Sequence, residues 1–239
     1  MAKEEIYTIP LWDAVKDEGE CPFCFLEKKL EKDLIDFCLS DAYMQSDFRQ
    51  TTNKIGFCQS HFTQLFQSPN RLGLTLVNQS HTMEMLEEFK KVTQNLKSTK
   101  KLFKKKTDED NPIHKLYQRL TEECYICGRI DETMTRYFET FFYLYKKDAA
   151  FRDFLPQTKS FCMPHYLRLI EVGQTNASPS VFENFMEESK PHFIENMERV
   201  LADMEWFVNK FDYRNDKEPW KDAKDAPKRS IQKINGTIL

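Results

Sequence analysis

The sequence predicts an all-α protein made of two tandem helical repeats, each closed by its own set of cysteine and histidine side chains. Three observations predict it. Glu20-Cys21-Pro22-Phe23-Cys24 recurs as Glu123-Cys124-Tyr125-Ile126-Cys127, and Phe57-Cys58-Gln59-Ser60-His61 recurs as Phe161-Cys162-Met163-Pro164-His165, at offsets of 103 and 104 residues. Apolar residues after each C-x-x-C return at helical spacing, without period-two alternation. Six glycines among 239 residues, with 20 Phe and 31% charged residues, suit helices with aromatic cores and solvated outer faces.

In chain order, the first C-x-x-C leads into a helix whose inward stripe is Leu26, Leu30, Leu34, Phe37 and Cys38. A second helix begins around Cys58-x-x-His61 and ends near Ser68-Pro69-Asn70. A long amphipathic helix follows, carrying Met85, Leu86, Phe89, Val92 and Leu96. Thr107 to Pro112 stops it, and a short helix with Ile113, Leu116, Tyr117 and Leu120 enters the second C-x-x-C.

The second repeat runs through Ile130, Met134, Tyr137, Phe138, Phe141 and Phe142, then a break over Gly173 to Pro179. A long stripe follows: Phe193, Met197, Val200, Leu201, Met204, Phe207, Val208 and Phe211. The two long stripes are expected to pack together. The expected boundaries are 1–110 and 111–213 for the repeats, with 214–239 a charged, loosely held tail.

At 28.5 kDa the chain can bury a core without a metal to rescue a small fold. With 35 Lys and Arg against 38 Asp and Glu, and a formal charge of -3, no global field attracts nucleic acid or an anionic membrane. No apolar leader opens the sequence and no run of 18 apolar residues occurs, so the expectation is a soluble cytoplasmic protein. Six of its seven cysteines sit in short-spaced pairs or beside a histidine, which in a reducing compartment favours metal ligation over disulfides.

Zinc prefers four tetrahedral ligands of thiolate and imidazole, and two intervening residues let one turn present both sulfurs to one ion. A C-x-x-H at a helix start places its two ligands a turn apart on one face. Each repeat therefore supplies three cysteines and a histidine. Cys21, Cys24, Cys58 and His61 are assigned to one ion, and Cys124, Cys127, Cys162 and His165 to another. The same chemistry would in principle let Cys124 and Cys127 pair with Cys58 and His61. A closed set of three thiolates and one imidazole leaves no position for substrate, so both zinc ions are expected to be structural. The spacing does not exclude iron.

Other motifs weigh less. Cys21-Pro22-Phe23-Cys24 also suits a thiol-disulfide enzyme, but no strand precedes it. Cys38 reads as a core residue, and His81, His114 and His192 lack partners at ligand spacing. Lys97, Lys100, Lys101, Lys104, Lys105 and Lys106 are read as a solvated helix end rather than a nucleic-acid surface. Arg49 and Arg152 recur beside Phe48 and Phe151, and are read as braces on backbone carbonyls rather than anion ligands.

Tyr7-Thr8-Ile9-Pro10-Leu11-Trp12, the Glu20 to Cys24 and Gly56 to His61 motifs, and the second C-x-x-C and C-x-x-H set resemble an uncharacterised bacterial domain-of-unknown-function family. The resemblance spans nearly the whole chain, including Pro227 to Gly236, and implies the paired-ligand pattern without a mechanism. The functional expectation is a zinc-stabilised binding or scaffolding module for a protein partner, with no catalytic site of its own. The alternatives are a redox- or metal-responsive regulator using zinc thiolates and, more weakly, a nucleic-acid binder.

Overall fold

A computed structural model describes residues 2–94 and 111–238, with side chains from residue 6 onward. Among the described residues the protein is all-α: eleven helices joined by turns, and no strand. No described helix is long and apolar enough to cross a membrane. The lysine cluster of 97–106, Leu96 and the expected stop at Thr107 lie outside the described residues.

The chain divides into two compact units, Met1–Lys29 with Glu132–Leu239, and Leu30–Asp131. These are not the expected repeats 1–110 and 111–213. The boundary falls inside α2 (Pro22–Leu39) and α7 (Tyr125–Lys147), the helices that follow the two C-x-x-C motifs. Each motif therefore belongs to one unit and the end of its helix to the other.

The first unit holds α1 (Ala2–Lys16), the start of α2, most of α7, then α8 (Ala149–Phe154), α9 (Met163–Asn176), α10 (Pro179–Asn209) and α11 (Ala226–Asn235). Its core is aromatic. Phe141, fully buried, meets the rings of Phe142, Phe151, Phe161 and Phe185 edge-on at 5.5–5.9 Å, an arrangement the ring quadrupole favours. Phe23 stacks on Phe138 at 4.4 Å, and Tyr166 on Phe193 at 4.2 Å.

Residues 214–239 are not a loose tail. Ala223, Ala226, Ser230 and Lys233 are buried, α11 packs on α9 and α10, and Arg229 pairs with Asp203 at 2.8 Å. The segment escapes a hydrophobicity pattern because what it buries is small or polar. The long stripe of α10 is buried at Phe193 and Val200, but Leu201, Val208 and Phe211 are exposed.

The second unit holds the rest of α2, α3 (Ser46–Ile55), α4 (Gln59–Gln67), α5 (Arg71–Thr93), α6 (Pro112–Glu122) and the start of α7. Its core gathers Cys38, Leu39, Phe48, Phe57, Leu65, Leu74, Val77, Tyr125 and Ile126. Leu74 and Val77 carry the inward face of α5, while Leu86 and Phe89 of its expected stripe are exposed. Arg49 of α3 donates to the Tyr43 and Leu76 carbonyls and to Ser80 Oγ, bracing α3 on α5. Two of its three acceptors are backbone carbonyls, as expected of a brace.

Both C-x-x-H turns are entered through a left-handed residue. Gly56 has φ 71°, and the residue at the matching place in the repeat, Ser160, has φ 62°. A Cβ on Gly56 would lie 2.6 Å from the His81 ring, which is itself fixed by a 2.8 Å hydrogen bond to the Asn53 carbonyl. Ser160 carries the strain of a Cβ there, and its buried hydroxyl has no partner among the described residues. Gly56→Ala is expected to destabilise by about 1–3 kcal/mol. Ser160→Gly is expected to stabilise by about 1 kcal/mol, through relief of the left-handed strain and of the unpaired hydroxyl. Denaturant unfolding of both variants, which should move in opposite directions, checks this.

Candidate metal centres

The eight expected ligand residues meet in two clusters, but not in the pairing assigned from the sequence. Cys21 and Cys24 join Cys162 and His165 in the first unit, and Cys58 and His61 join Cys124 and Cys127 in the second. Each C-x-x-C is thus completed by the C-x-x-H of the other repeat.

Helix length goes with the crossing. α2 has 18 residues and α3 only ten, and the C-x-x-H after α3 meets α2 part-way along its length, where Glu31 Oε1 lies 3.1 Å from His61 Nε2. In the other repeat α7 is longer, at 23 residues, and the returning α8 shorter, at six. His165 accordingly stands beside Phe138, eleven residues past Cys127, with ring centroids 6.0 Å apart.

Every ligand pair sits at a helix N-terminus. Cys21 precedes α2 and Cys124 precedes α7, while Cys58 and Cys162 are the N-caps of α4 and α9. Two helix starts therefore converge on each cluster, and their unpaired amides and positive dipole ends favour thiolate.

The separations suit a tetrahedral ion. In the first cluster Cys162 Sγ lies 3.1 Å from His165 Nδ1, with Cys24 and Cys21 at 3.5 and 3.6 Å from the same nitrogen and Cys24 3.5 Å from Cys162. In the second, Cys58, Cys124 and Cys127 lie 3.2, 3.3 and 3.4 Å from His61 Nδ1, and Cys58 is 3.8 Å from Cys127. A tetrahedron with Zn–S of about 2.3 Å and Zn–N of about 2.0–2.1 Å has edges of about 3.6–3.8 Å. Small inward or outward shifts of these side chains satisfy it.

The charges point the same way. Burial lowers the basicity of His61, but hydrogen bonding to Cys124 and the charges of Cys124 and Cys58 outweigh it and raise it to about 9. Burial raises the Cys124 thiol, and His61 with backbone donors brings it down to about 6. His165 rises to about 10 by the same opposition of burial to thiolate partners, and Cys21 falls because hydrogen bonds with Cys162, Cys24 and His165 outweigh its burial. The neighbouring sulfurs go the other way: burial and the Cys124 charge push Cys127 up to about 12, and the hydrogen bonds that Cys24 donates to Cys162 and Cys21 push Cys24 up. The imidazole favours a thiolate beside it, and ionising Cys24 or Cys127 as well would set like charges together. A cation among the sulfurs turns that repulsion into attraction, so both clusters could hold a metal ion.

Sequence reasoning missed the groups behind the ligands. In both clusters Nδ1 faces the sulfurs and Nε2 faces a carboxylate, Glu27 at 3.5 Å for His165 and Glu31 at 3.1 Å for His61. These carboxylates fix ring orientation and tautomer, as carboxylates behind ligating histidines do at metal sites. Their signal was present as glutamates four residues apart following a C-x-x-C. The buried Lys233 of α11 donates to the Glu20 carbonyl at 2.8 Å, to the Phe161 carbonyl at 3.2 Å and to the Lys159 carbonyl. It bolts the residue before Cys21 to the residue before Cys162. Glu20, also buried, answers it at 3.5 Å and Arg199 at 2.5 Å.

The remaining candidates are not ligands. Cys38 is a core residue whose thiol burial and the Cys124 charge raise to about 12. His192 contacts the Thr158 carbonyl at 3.0 Å. Arg152 is exposed beside Tyr145 and His192 on the wall of a small cavity, so the recurrence of Arg49 does not extend to its contacts.

A family model described as a family of unknown function (DUF6062) matches residues 2–239. Neither a curated protein nor a solved structure matches the chain.

Two outcomes follow from the supporting groups. Glu31→Ala is expected to weaken metal retention at the second cluster by roughly 10–100-fold while sparing the first, as measured by chelator competition. Lys233→Ala, which leaves Glu20 and three carbonyls short of a buried donor, is expected to cost about 3–5 kcal/mol in denaturant unfolding.

Proposed function

We propose that this chain, which belongs to the family of unknown function DUF6062, is a helical binding or scaffolding module held in shape by two structural zinc ions. The observation that carries the reading is the pair of complete ligand sets, each with three sulfurs and one imidazole within 4.8 Å of one another. Four protein ligands fill a tetrahedral shell, so neither centre keeps a position for substrate, and the donor set suits Zn²⁺. Large apolar side chains exposed near the end of α10 and beyond it, Val208, Phe211 and Tyr213, favour a protein as the partner.

Elemental analysis of protein purified without added metal is expected to give two zinc ions per chain and a colourless solution. Chelation is expected to unmask six thiols, with Cys38 reacting only on unfolding, and to lower the melting midpoint. Six freely reactive thiols in a folded, metal-free protein would overturn the proposal. A coloured, iron-containing protein would overturn the choice of metal.

A further inference from the structure

The two clusters have the same donors and opposite access. In the first, Cys21, Cys24 and Cys162 are each no more than 1% exposed. The end of α11 lies over them: a Cβ on Gly236 would sit 3.8 Å from both Cys24 and Cys162 Sγ, while Lys233 ties down the two approach turns. In the second cluster Cys124 and His61 are buried, but Cys58 is half-buried and Cys127 is exposed. These two open sulfurs come from different ligand pairs, 69 residues apart in sequence, and stand 3.8 Å from one another.

We propose that Cys127 and Cys58 form a peroxide-reactive pair, whose oxidation to a disulfide dismantles the second centre and leaves the first intact. The inference rests on the metal reading above. Reactivity toward peroxide requires access to the sulfur and a second sulfur in reach to resolve the product, and among the described cysteines this pair combines the two. With a cation in the centre the Cys127 sulfur is held as thiolate, and it attacks the peroxide O–O bond, giving a sulfenic acid and releasing hydroxide or alkoxide. The Cys58 thiolate then attacks the sulfenic sulfur, forming the S–S bond and expelling hydroxide. The peroxide takes both electrons. Two of four ligands are thereby lost, and the helix starts of α4 and α7 no longer share an ion. The consequence is confined to residues 30–131, whose core includes Cys124, Tyr125 and Phe57 beside the ligands.

The test takes the metal-loaded full chain, freed of reductant, and adds hydrogen peroxide in the presence of a chromophoric chelator. Cysteine states are then mapped by mass spectrometry after denaturing alkylation. The expected result is loss of one metal of two, a Cys58–Cys127 disulfide, and Cys21, Cys24 and Cys162 still reduced. Loss of both metals together, loss of neither, or a disulfide among other cysteines overturns the inference alone. A chain carrying no metal before peroxide is added overturns the metal reading, and this inference with it.

Discussion

The structure depends on bringing two helix N-termini to one point. A helix start leaves amides unpaired and its dipole positive, and a sulfur cluster is negative as soon as one thiol ionises. Placing α2 and α9 on one cluster, and α4 and α7 on the other, satisfies both ends. The ligands are therefore part of how four helices are capped. Cys58 and Cys162 occupy N-cap positions where a serine or aspartate is the ordinary choice, and neither caps its helix with a side-chain hydrogen bond. Their sulfurs are turned to the cluster instead.

What surrounds the clusters separates them. The first is enclosed by the C-terminal helix, with buried Lys233 and part-exposed Arg199 converging on buried Glu20. At the second, the residue matching Glu20 is Glu123, which is exposed, and Glu31 and Gln64 supply the polar backing from one side. Repeated sequence thus gives equal donors and unequal shells. The difference arises outside the repeat, in a segment that has no counterpart in the first half.

Much of this was legible in the sequence. The helices after each C-x-x-C, the helix beginning at each C-x-x-H, the stop at Ser68, and all eight cluster residues follow from spacing and punctuation. The grouping of the eight did not, because motif order suggests that neighbours in sequence share an ion. The meeting of His61 with Glu31, seven residues past Cys24, decides otherwise, and no spacing in the motifs announces it. The C-terminal helix was missed for another reason. A segment that buries Ala223, Ala226, Ser230 and Lys233 offers no apolar stripe, and a lysine buried by three carbonyls looks from sequence like a solvated one.

Crossing also nests the two closures. The second cluster joins His61 to Cys124 across 63 residues, and this span lies wholly within the 138 residues that separate Cys24 from Cys162. Loop-closure entropy grows only with the logarithm of length, so the outer closure alone costs about 0.7 kcal/mol more than the inner. Once the inner cluster is formed, the chain from 61 to 124 is bypassed, and the outer closure spans little more than half its original length. Formation of either centre therefore eases the other by the same amount, because the coupling is reciprocal. The inner closure spans the shorter loop and is the less costly of the two to form again. It is also the one whose sulfurs face solvent.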